Sequence, residues 1–308
     1  MTTNAIQSSH IYSTYFAPRG RSRIYTLGMQ IAQLYLSPFD QIIGFIGEAG
    51  SGKSVLIKGM FPGIELTNDD DGVNVRPLPL LEQEYETGFF TPHTYHLDIR
   101  FETGFHQLSE LADAVRLAVR RGKRIIIEHF DLIYPLLGVN ANLLIGVGEQ
   151  IVITRPNLFG PLPQELCDIV YPSLAYRLMA HSAEDLCEYA MTQEQMLACS
   201  HGDIRHGFVL EFNEHQPDID IPTLEARVKE LIRQDLPIDY YDESHILLGG
   251  VQHYCTGPRT HVRSTGRIIG FRLLDHFIYD HFHKTYMLVG CVGDDSEENI
   301  RKLEKIHG

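Results

Sequence analysis

The sequence contains no tryptophan, few cysteines and no long apolar run. Five cysteines at irregular spacing, an odd number in a long chain, do not form a disulfide framework. No apolar run approaches the roughly 18 residues that cross a bilayer, and Met1–Arg23 lacks the apolar core of a secretion signal. These absences predict a cytoplasmic protein with no membrane partner.

Basic residues are also in deficit, since 26 lysines and arginines face 40 acidic residues and give a net charge of −14. This balance argues against nucleic-acid binding over the whole surface, although Arg19, Arg21 and Arg23 form a local basic patch. The 308 residues are 44% hydrophobic and 21% charged, which is typical of one large or two ordinary globular domains.

Apolar runs and helical spacings alternate along the first half of the chain. The pattern predicts strands at 41–47, 96–101, 124–130 and 150–155, with helices at 54–60 and 108–121. Such alternation is typical of α/β domains with a mostly parallel sheet. The Pro- and Gly-rich stretch 156–172 indicates a seam, so we predict domains at 1–160 and 173–308, the second of them α+β because its strands and helices alternate irregularly.

The strongest motif is Gly47-Glu-Ala-Gly-Ser-Gly-Lys-Ser54, which has the G-x-x-x-x-G-K-[ST] pattern between an apolar strand and a helix. In this motif backbone N–H groups surround phosphate oxygens, the lysine reaches the β- and γ-phosphates, and the final hydroxyl binds Mg²⁺. The chain therefore resembles the P-loop NTPase superfamily over about 42–155. The predicted nucleotide-binding residues are Gly47, Gly50, Ser51, Gly52, Lys53, Ser54 and Val55, with Ser54 as the Mg²⁺ ligand.

A phosphate loop of this kind also needs an acid at the end of a neighbouring strand. Glu128 and Asp131 are the candidates, with Asp98 as an alternative. Glu128 could instead be an ordinary surface carboxylate at a strand end. Asp70, with Asp69 and Asp71 beside it, resembles by position the aspartate that faces the acceptor hydroxyl in uridine-kinase-like enzymes. An acidic turn in solvent is the alternative for that segment.

Arg155 follows the last predicted strand of this half. Its guanidinium could stabilise charge that develops on a phosphate, or it could be a structural ion-pair partner.

The second half contains Cys255-Thr-Gly-Pro-Arg-Thr-His261-Val, followed by Thr265-Gly-Arg-Ile-Ile-Gly270. These residues resemble the signature of the editing-associated "second additional" domain of alanyl- and threonyl-tRNA synthetases and of free-standing alanyl-tRNA editing proteins, over about 203–274. The resemblance implies Zn²⁺ bound by the cysteine, the histidine and two histidines of an upstream His-x-x-x-His helix.

This sequence departs from that pattern in two places. The spacing from Cys255 to His261 is two residues longer, and the upstream counterpart is His181-Ser-Ala-Glu-Asp185, with aspartate in the second position. His-Asp-Cys-His can still bind zinc because a carboxylate is an acceptable ligand. The alternative is a plain helix surface, a packed thiol and a structural histidine, and His201, His206 and His253 are other candidate ligands.

The expected cofactors are ATP or GTP with Mg²⁺, and Zn²⁺ is a second candidate. The expected activity is NTP hydrolysis or kinase-like transfer of the γ-phosphate, with the editing-like domain recognising the substrate. One alternative is a zinc-dependent hydrolase of aminoacyl-tRNA or amino-acid esters under nucleotide control. Another is a nucleotide-switched binding protein without efficient catalysis. Expected partners are the nucleotide and either tRNA or an aminoacylated or nucleoside-like small molecule.

Overall fold

The computed structural model describes residues 12–66, 80–81, 93–213 and 215–307. The chain divides into two compact units, the first containing Met1–Ala17 and Arg21–Tyr171, the second containing Pro18–Gly20 and Pro172–Gly308. Within the described residues, no helix is both long and apolar enough to cross a membrane.

The first unit is built around a six-stranded sheet. Its elements are β1 (Ser13–Phe16), α1 (Arg21–Tyr35), β2 (Ile42–Ile46), α2 (Lys53–Met60), β3 (Thr94–Asp98), α3 (Ile99–Glu102), α4 (Leu108–Arg120), β4 (Arg124–Glu128), α5 (Phe130–Leu137), β5 (Leu143–Val147) and β6 (Gln150–Thr154). The strand order is β1-β6-β5-β2-β4-β3. Strands β3, β4, β2 and β5 are parallel, whereas β6 runs antiparallel to β5 and β1 antiparallel to β6.

Both faces of this sheet are covered by apolar side chains, which is why its central strands are almost wholly buried. Ile42, Ile125 and Leu144 contribute to one cluster, together with residues of α4 and α5. Ile43 and Ile126, on the opposite face, pack with residues of α1 and α2. Since successive residues of a strand point to opposite faces, each strand supplies both clusters.

The second unit contains two antiparallel sheets. Its elements are the end of α6 (Pro163–Ala190), α7 (Gln193–Ala198), β7 (Cys199–Ile204), β8 (Gly207–Asn213), α8 (Ile221–Arg233), β9 (Ile238–Asp242), β10 (His245–Leu248), β11 (Val251–Tyr254), β12 (Arg272–Leu273), β13 (Ile278–Asp280), β14 (Thr285–Cys291) and α9 (Ser296–His307). One sheet has the order β11-β10-β9 and the other β12-β14-β8-β7, with β13 paired to β14.

The predicted fold class, an α/β P-loop NTPase domain with a mostly parallel sheet followed by an α+β editing-like domain, is wrong. The fold is mixed α/β with several antiparallel sheets, because β6 and β1 reverse direction in the first sheet and every pairing in the other sheets is antiparallel. Two residues join β5 to β6, which allows a hairpin and not a crossover.

The sequence-based element boundaries also differ from the structure in places. The strand expected at 96–101 ends at Asp98, whose carboxylate accepts a hydrogen bond from the Phe101 N–H and so begins α3. Strands β1 and β5 were not predicted. Helix α6 begins at Pro163, inside the stretch interpreted as a seam, and continues through Pro172.

Helices α1 and α2 approach each other closely through two glycines. A Cβ on Gly59 would lie 2.2 Å from the Tyr25 carbonyl oxygen, and one on Gly28 would lie 2.5 Å from the Leu56 carbonyl oxygen.

We expect Gly59→Ala to lower the free energy of unfolding by about 1–3 kcal/mol, because the added methyl group would overlap backbone. Urea denaturation measures this change. The control, Gln33→Ala on the exposed face of α1, should stay within about 0.5 kcal/mol of the wild type. Equal stability of Gly59→Ala and the wild type would contradict the close approach.

Candidate functional site

The glycine-rich loop that was predicted to bind phosphate lies between the end of β2 and the start of α2. Gly47, Gly50 and Gly52 have φ angles of 153°, 80° and 92°, a region that side chains rarely allow. A Cβ on Gly47 would also lie 2.5 Å from the Val147 carbonyl oxygen. No side chain caps α2 at Gly52. The first N–H groups of a helix have no intrahelical acceptor and attract anions, so this end of α2 favours an anionic ligand.

Three of the predicted side chains meet beside this loop. Ser54 Oγ donates a hydrogen bond to Glu128 Oε1 at 3.0 Å, and Lys53 Nζ lies 3.8 Å from Glu128 Oε2. Lys53 Nζ also donates to the carbonyl oxygens of Gly47 at 3.0 Å and Glu48 at 2.9 Å. Glu128 reaches them because β4 is the parallel neighbour of β2. A hydroxyl and a carboxylate in this arrangement suit Mg²⁺.

Burial and neighbouring charges both act on this group of side chains. Burial raises the pKa of the Glu128 carboxyl, but the hydrogen bond and charge of His96, then Lys53 and Ser54, outweigh burial, so the net pKa is lowered. Burial lowers the pKa of the Lys53 ammonium, and the carboxylates of Glu128 and Asp98 oppose that effect. The neighbouring groups therefore favour the carboxylate form of Glu128.

A cavity of about 350 Å³ opens beside these side chains. Its volume lies at the lower end of the range for small-molecule sites. The residues that line it are Ala49, Gly50, Lys53, Ser54, Asp98, Arg100, Phe101, Glu128 and His129.

Sequence reasoning did not assign Arg100, His96 or His129 to this region. Arg100 Nη1 donates to Glu48 Oε2 at 3.2 Å, and His96 Nε2 lies 3.2 Å from Glu128 Oε1. His129 follows Glu128 and has a left-handed backbone, with φ of 56°. The register of β3 with β4 pairs Asp98 with Glu128 and so brings this part of the chain to the site. A single sequence does not reveal strand register, so it held no usable signal for these three residues.

The remaining predicted residues of the first unit lie elsewhere. Asp131 lies on α5, where its carboxylate accepts a hydrogen bond from the Tyr171 hydroxyl at 3.2 Å. Asp70 lies outside the described residues, as do Asp69 and Asp71.

Arg155 lies at the edge of the sheet opposite the glycine-rich loop. It binds Asp40, which precedes β2, through bonds of 2.7 Å to Oδ1 and 2.8 Å to Oδ2, and it also donates to the Tyr35 carbonyl oxygen. The structure does not bring it together with Lys53, because β6 runs antiparallel and ends where β2 begins. These contacts match the alternative prediction for Arg155, that it is a structural ion-pair partner.

The second unit brings the four predicted metal ligands together. His181 and Asp185 lie one turn apart on α6, Cys255 follows β11, and His261 lies in the next loop. One ligand atom from each residue lies within 4.8 Å of all the others. Cys255 Sγ is 3.4 Å from His181 Nε2 and 3.7 Å from His261 Nε2.

These separations fit a tetrahedral metal site. Bonds of about 2.0–2.3 Å to zinc place neighbouring ligand atoms about 3.3–3.8 Å apart. His181 Nε2 and Asp185 Oδ1 are 3.8 Å apart, within that range, whereas His261 Nε2 and Asp185 Oδ2 are 2.8 Å apart and share a direct hydrogen bond. The donor set of two imidazoles, one thiol and one carboxylate is one that zinc accepts.

Backbone groups around the cluster orient both imidazoles. His181 Nδ1 lies 3.0 Å from the Thr260 carbonyl oxygen and His261 Nδ1 lies 3.3 Å from the Pro258 carbonyl oxygen. Because a carbonyl only accepts, His181 Nδ1 is the protonated atom and its Nε2 lone pair faces the centre, whereas His261 Nε2 donates its hydrogen bond to the Asp185 carboxylate. Pro258 is one of the two residues that lengthen the Cys255–His261 spacing, so the longer loop supplies this acceptor.

The buried cluster also shifts the pKa values of its members. Burial raises the pKa of the Cys255 thiol far above its ordinary value, and the Asp185 charge adds to this effect. Burial and the His261 charge lower the pKa of His181 well below 6.5. Burial raises the pKa of Asp185, but His181 and His261 outweigh burial and lower it. Without a cation, the centre therefore holds a neutral thiol and a carboxylate.

Replacing Arg155 tests its position in the first unit. Arg155→Met should lower the free energy of unfolding by about 3 kcal/mol, because Asp40 would stay buried without its cation. The double variant Arg155→Met/Asp40→Asn should recover part of this loss in urea denaturation. If the single variant costs less than about 0.5 kcal/mol, the ion pair does not support the sheet edge.

Comparisons with known proteins leave the family of the chain open. No protein-family model and no curated protein matches it. A crystal structure of the pyridoxal-5'-phosphate dependent protein YhfS from Escherichia coli is similar at 13% sequence identity over 97% of this chain and 81% of that chain. Its TM-score is 0.26. A likeness at this level assigns neither a fold nor an activity to this chain.

Proposed function

We propose that the chain binds ATP or GTP with Mg²⁺ at residues 47–55 and hydrolyses the nucleotide or transfers its γ-phosphate. The observation that carries this proposal is the meeting of Lys53, Ser54 and Glu128 beside the left-handed Gly52 and an open cavity. We also propose that the protein acts in the cytoplasm, because its few, irregularly spaced cysteines are typical of a reducing compartment.

Each residue of this site has a distinct task in the proposal. The loop N–H groups and the first turn of α2 bind phosphate oxygens. Lys53 exchanges its present bonds to the Gly47 and Glu48 carbonyls for bonds to phosphate. Ser54 and Glu128 would hold Mg²⁺, whose charge would offset that of the phosphates. Arg100 lines the cavity that Arg155 does not reach and is placed to stabilise charge on a transferred group.

Lys53→Ala tests nucleotide binding. A ligand at 100 times its Kd stabilises the folded wild type by about 2.7 kcal/mol, and we expect Mg·ATP or Mg·GTP to raise its Tm accordingly. Lys53→Ala should lose most of this shift, because a buried ammonium in the loop is removed. Thermal unfolding with and without nucleotide measures it.

The matched control is Lys58→Ala, on the same helix and within the last turn, which should keep the full shift. An unchanged shift in Lys53→Ala would refute the assignment of the loop. Release of phosphate, assayed in parallel, separates an enzyme from a nucleotide-switched binding protein, which would show the shift with negligible turnover.

We propose as a second function that His181, Asp185, Cys255 and His261 bind Zn²⁺ for hydrolysis of an aminoacyl ester, with aminoacylated tRNA or a small ester as the partner. The observation that favours it is the convergence of the four ligand atoms within 4.8 Å. Zinc would displace the Cys255 proton, and the thiolate with Asp185 would balance the charge of the ion. As a Lewis acid, bound zinc would supply an activated water or a polarised carbonyl once one of the four ligands, such as Asp185, gives up its position, because four protein ligands fill a tetrahedral site.

Cys255→Ser tests this metal site through the zinc content of untagged protein. The variant should lose about one equivalent of zinc per chain, because a hydroxyl is a poorer ligand than a thiolate. Elemental analysis after dialysis measures the loss, and Cys291→Ser, at a buried cysteine of β14, is the control. Equal zinc content in wild type and Cys255→Ser would exclude this centre.

A further inference from the structure

A second group of metal-ligating side chains lies in the second unit and shares no residue with the first. Glu188 projects from α6, and Cys199 and His201 from β7. Their ligand atoms all lie within 4.8 Å of one another. Cys199 and His201 are alternate residues of one strand and therefore share a face. We call these three residues the Glu188 cluster.

The contacts within the Glu188 cluster converge on one carboxylate oxygen. Glu188 Oε1 forms a hydrogen bond with His201 Nε2 and lies 3.8 Å from Cys199 Sγ. The Glu188 residue is only 7% exposed, which makes its charge costly without compensation.

An independent observation points to a missing partner beside this carboxylate. His253, on β11, is 8% exposed, and its Nε2 is buried with no hydrogen-bond partner among the described residues. That nitrogen lies 4.0 Å from Glu188 Oε2. Buried polar atoms of native proteins are almost always satisfied, so an orphaned imidazole nitrogen aimed at a carboxylate indicates a ligand between or beside them.

We propose that Glu188, Cys199 and His201 bind a second divalent transition-metal ion of the zinc class, with His253 as the additional ligand. Once the Cys199 proton has left, the thiolate and the Glu188 carboxylate together balance the charge of a doubly charged ion. Thiolate and imidazole donors select zinc over Mg²⁺ or Ca²⁺. Cys199 and His201 are only half-buried, so the ion has a route from solvent.

Binding exchanges one proton for the ion. The Cys199 S–H bond breaks, its proton leaves to solvent, and sulfur donates its electron pair to the metal. No electron is transferred. The first metal site is not needed for this step, so the two sites can succeed or fail separately.

The test is zinc titration of metal-free, untagged protein against a chromophoric chelator. The wild type should bind two equivalents, and Cys199→Ser and Cys255→Ser should each bind one. Ser200→Ala, an exposed residue between the two β7 ligands, should keep two. If Cys199→Ser binds as much zinc as the wild type, the Glu188 cluster is not a metal site. If instead Cys255→Ser alone keeps its zinc, only the first site fails.

A measurement on the wild-type chain remains decisive if Cys199→Ser does not fold. Iodoacetamide labelling, read peptide by peptide by mass spectrometry, follows the Cys199 thiol directly. Free Zn²⁺ at about ten times its Kd should slow Cys199 labelling about tenfold, because only the unbound fraction reacts. The same zinc should leave Cys167, a buried cysteine of the first unit, unchanged. Labelling of Cys199 at an equal rate with and without zinc would overturn the proposal.

Discussion

Each unit buries a carboxylate, and a buried carboxylate needs compensating partners. The chemistry proposed for each unit depends on this constraint. Glu128 is 2% exposed at the end of β4, and Asp185 is 5% exposed on α6. A charge removed from water is tolerated only with nearby cations or hydrogen-bond donors. Glu128 has Lys53, Ser54 and His96 around it, and Asp185 has His181 and His261. A buried carboxylate that has such partners can also bind a cation in their place.

The two sites meet this constraint with different scaffolds. In the first unit, the parallel neighbours β2 and β4 end at one edge, so local backbone conformation and strand register place the loop beside its acid. In the second unit, a helical i,i+4 pair meets a loop in which Gly257 is required, since a Cβ there would lie 2.7 Å from His181 Cε1. The carbonyls of Pro258 and Thr260 then orient the imidazoles.

The fold illustrates which features a single sequence does not carry. Strand β2, its loop and α2 were predicted because an apolar run, three glycines and a helical spacing are all local signals. The direction of β6 was not, because the apolar run 150–155 reads the same in a parallel or an antiparallel sheet. The predicted strand 96–101 was too long because the side chain of Asp98 caps α3, and a cap overrides an alternating pattern.

The sequence by itself determined the loop motif, and it offered Glu128, beside Asp131 and Asp98, as an acid near a strand end. It also offered His181, Asp185, Cys255 and His261 as candidate ligands, with other histidines left open. Only the tertiary structure decided that Arg155 pairs with Asp40, that Arg100 lines the cavity, and that Glu188 meets Cys199 and His201. The physical reason is the distance along the chain that separates these partners. Motif spacing encodes neighbours on one loop or helix, whereas register and strand direction bring remote side chains together.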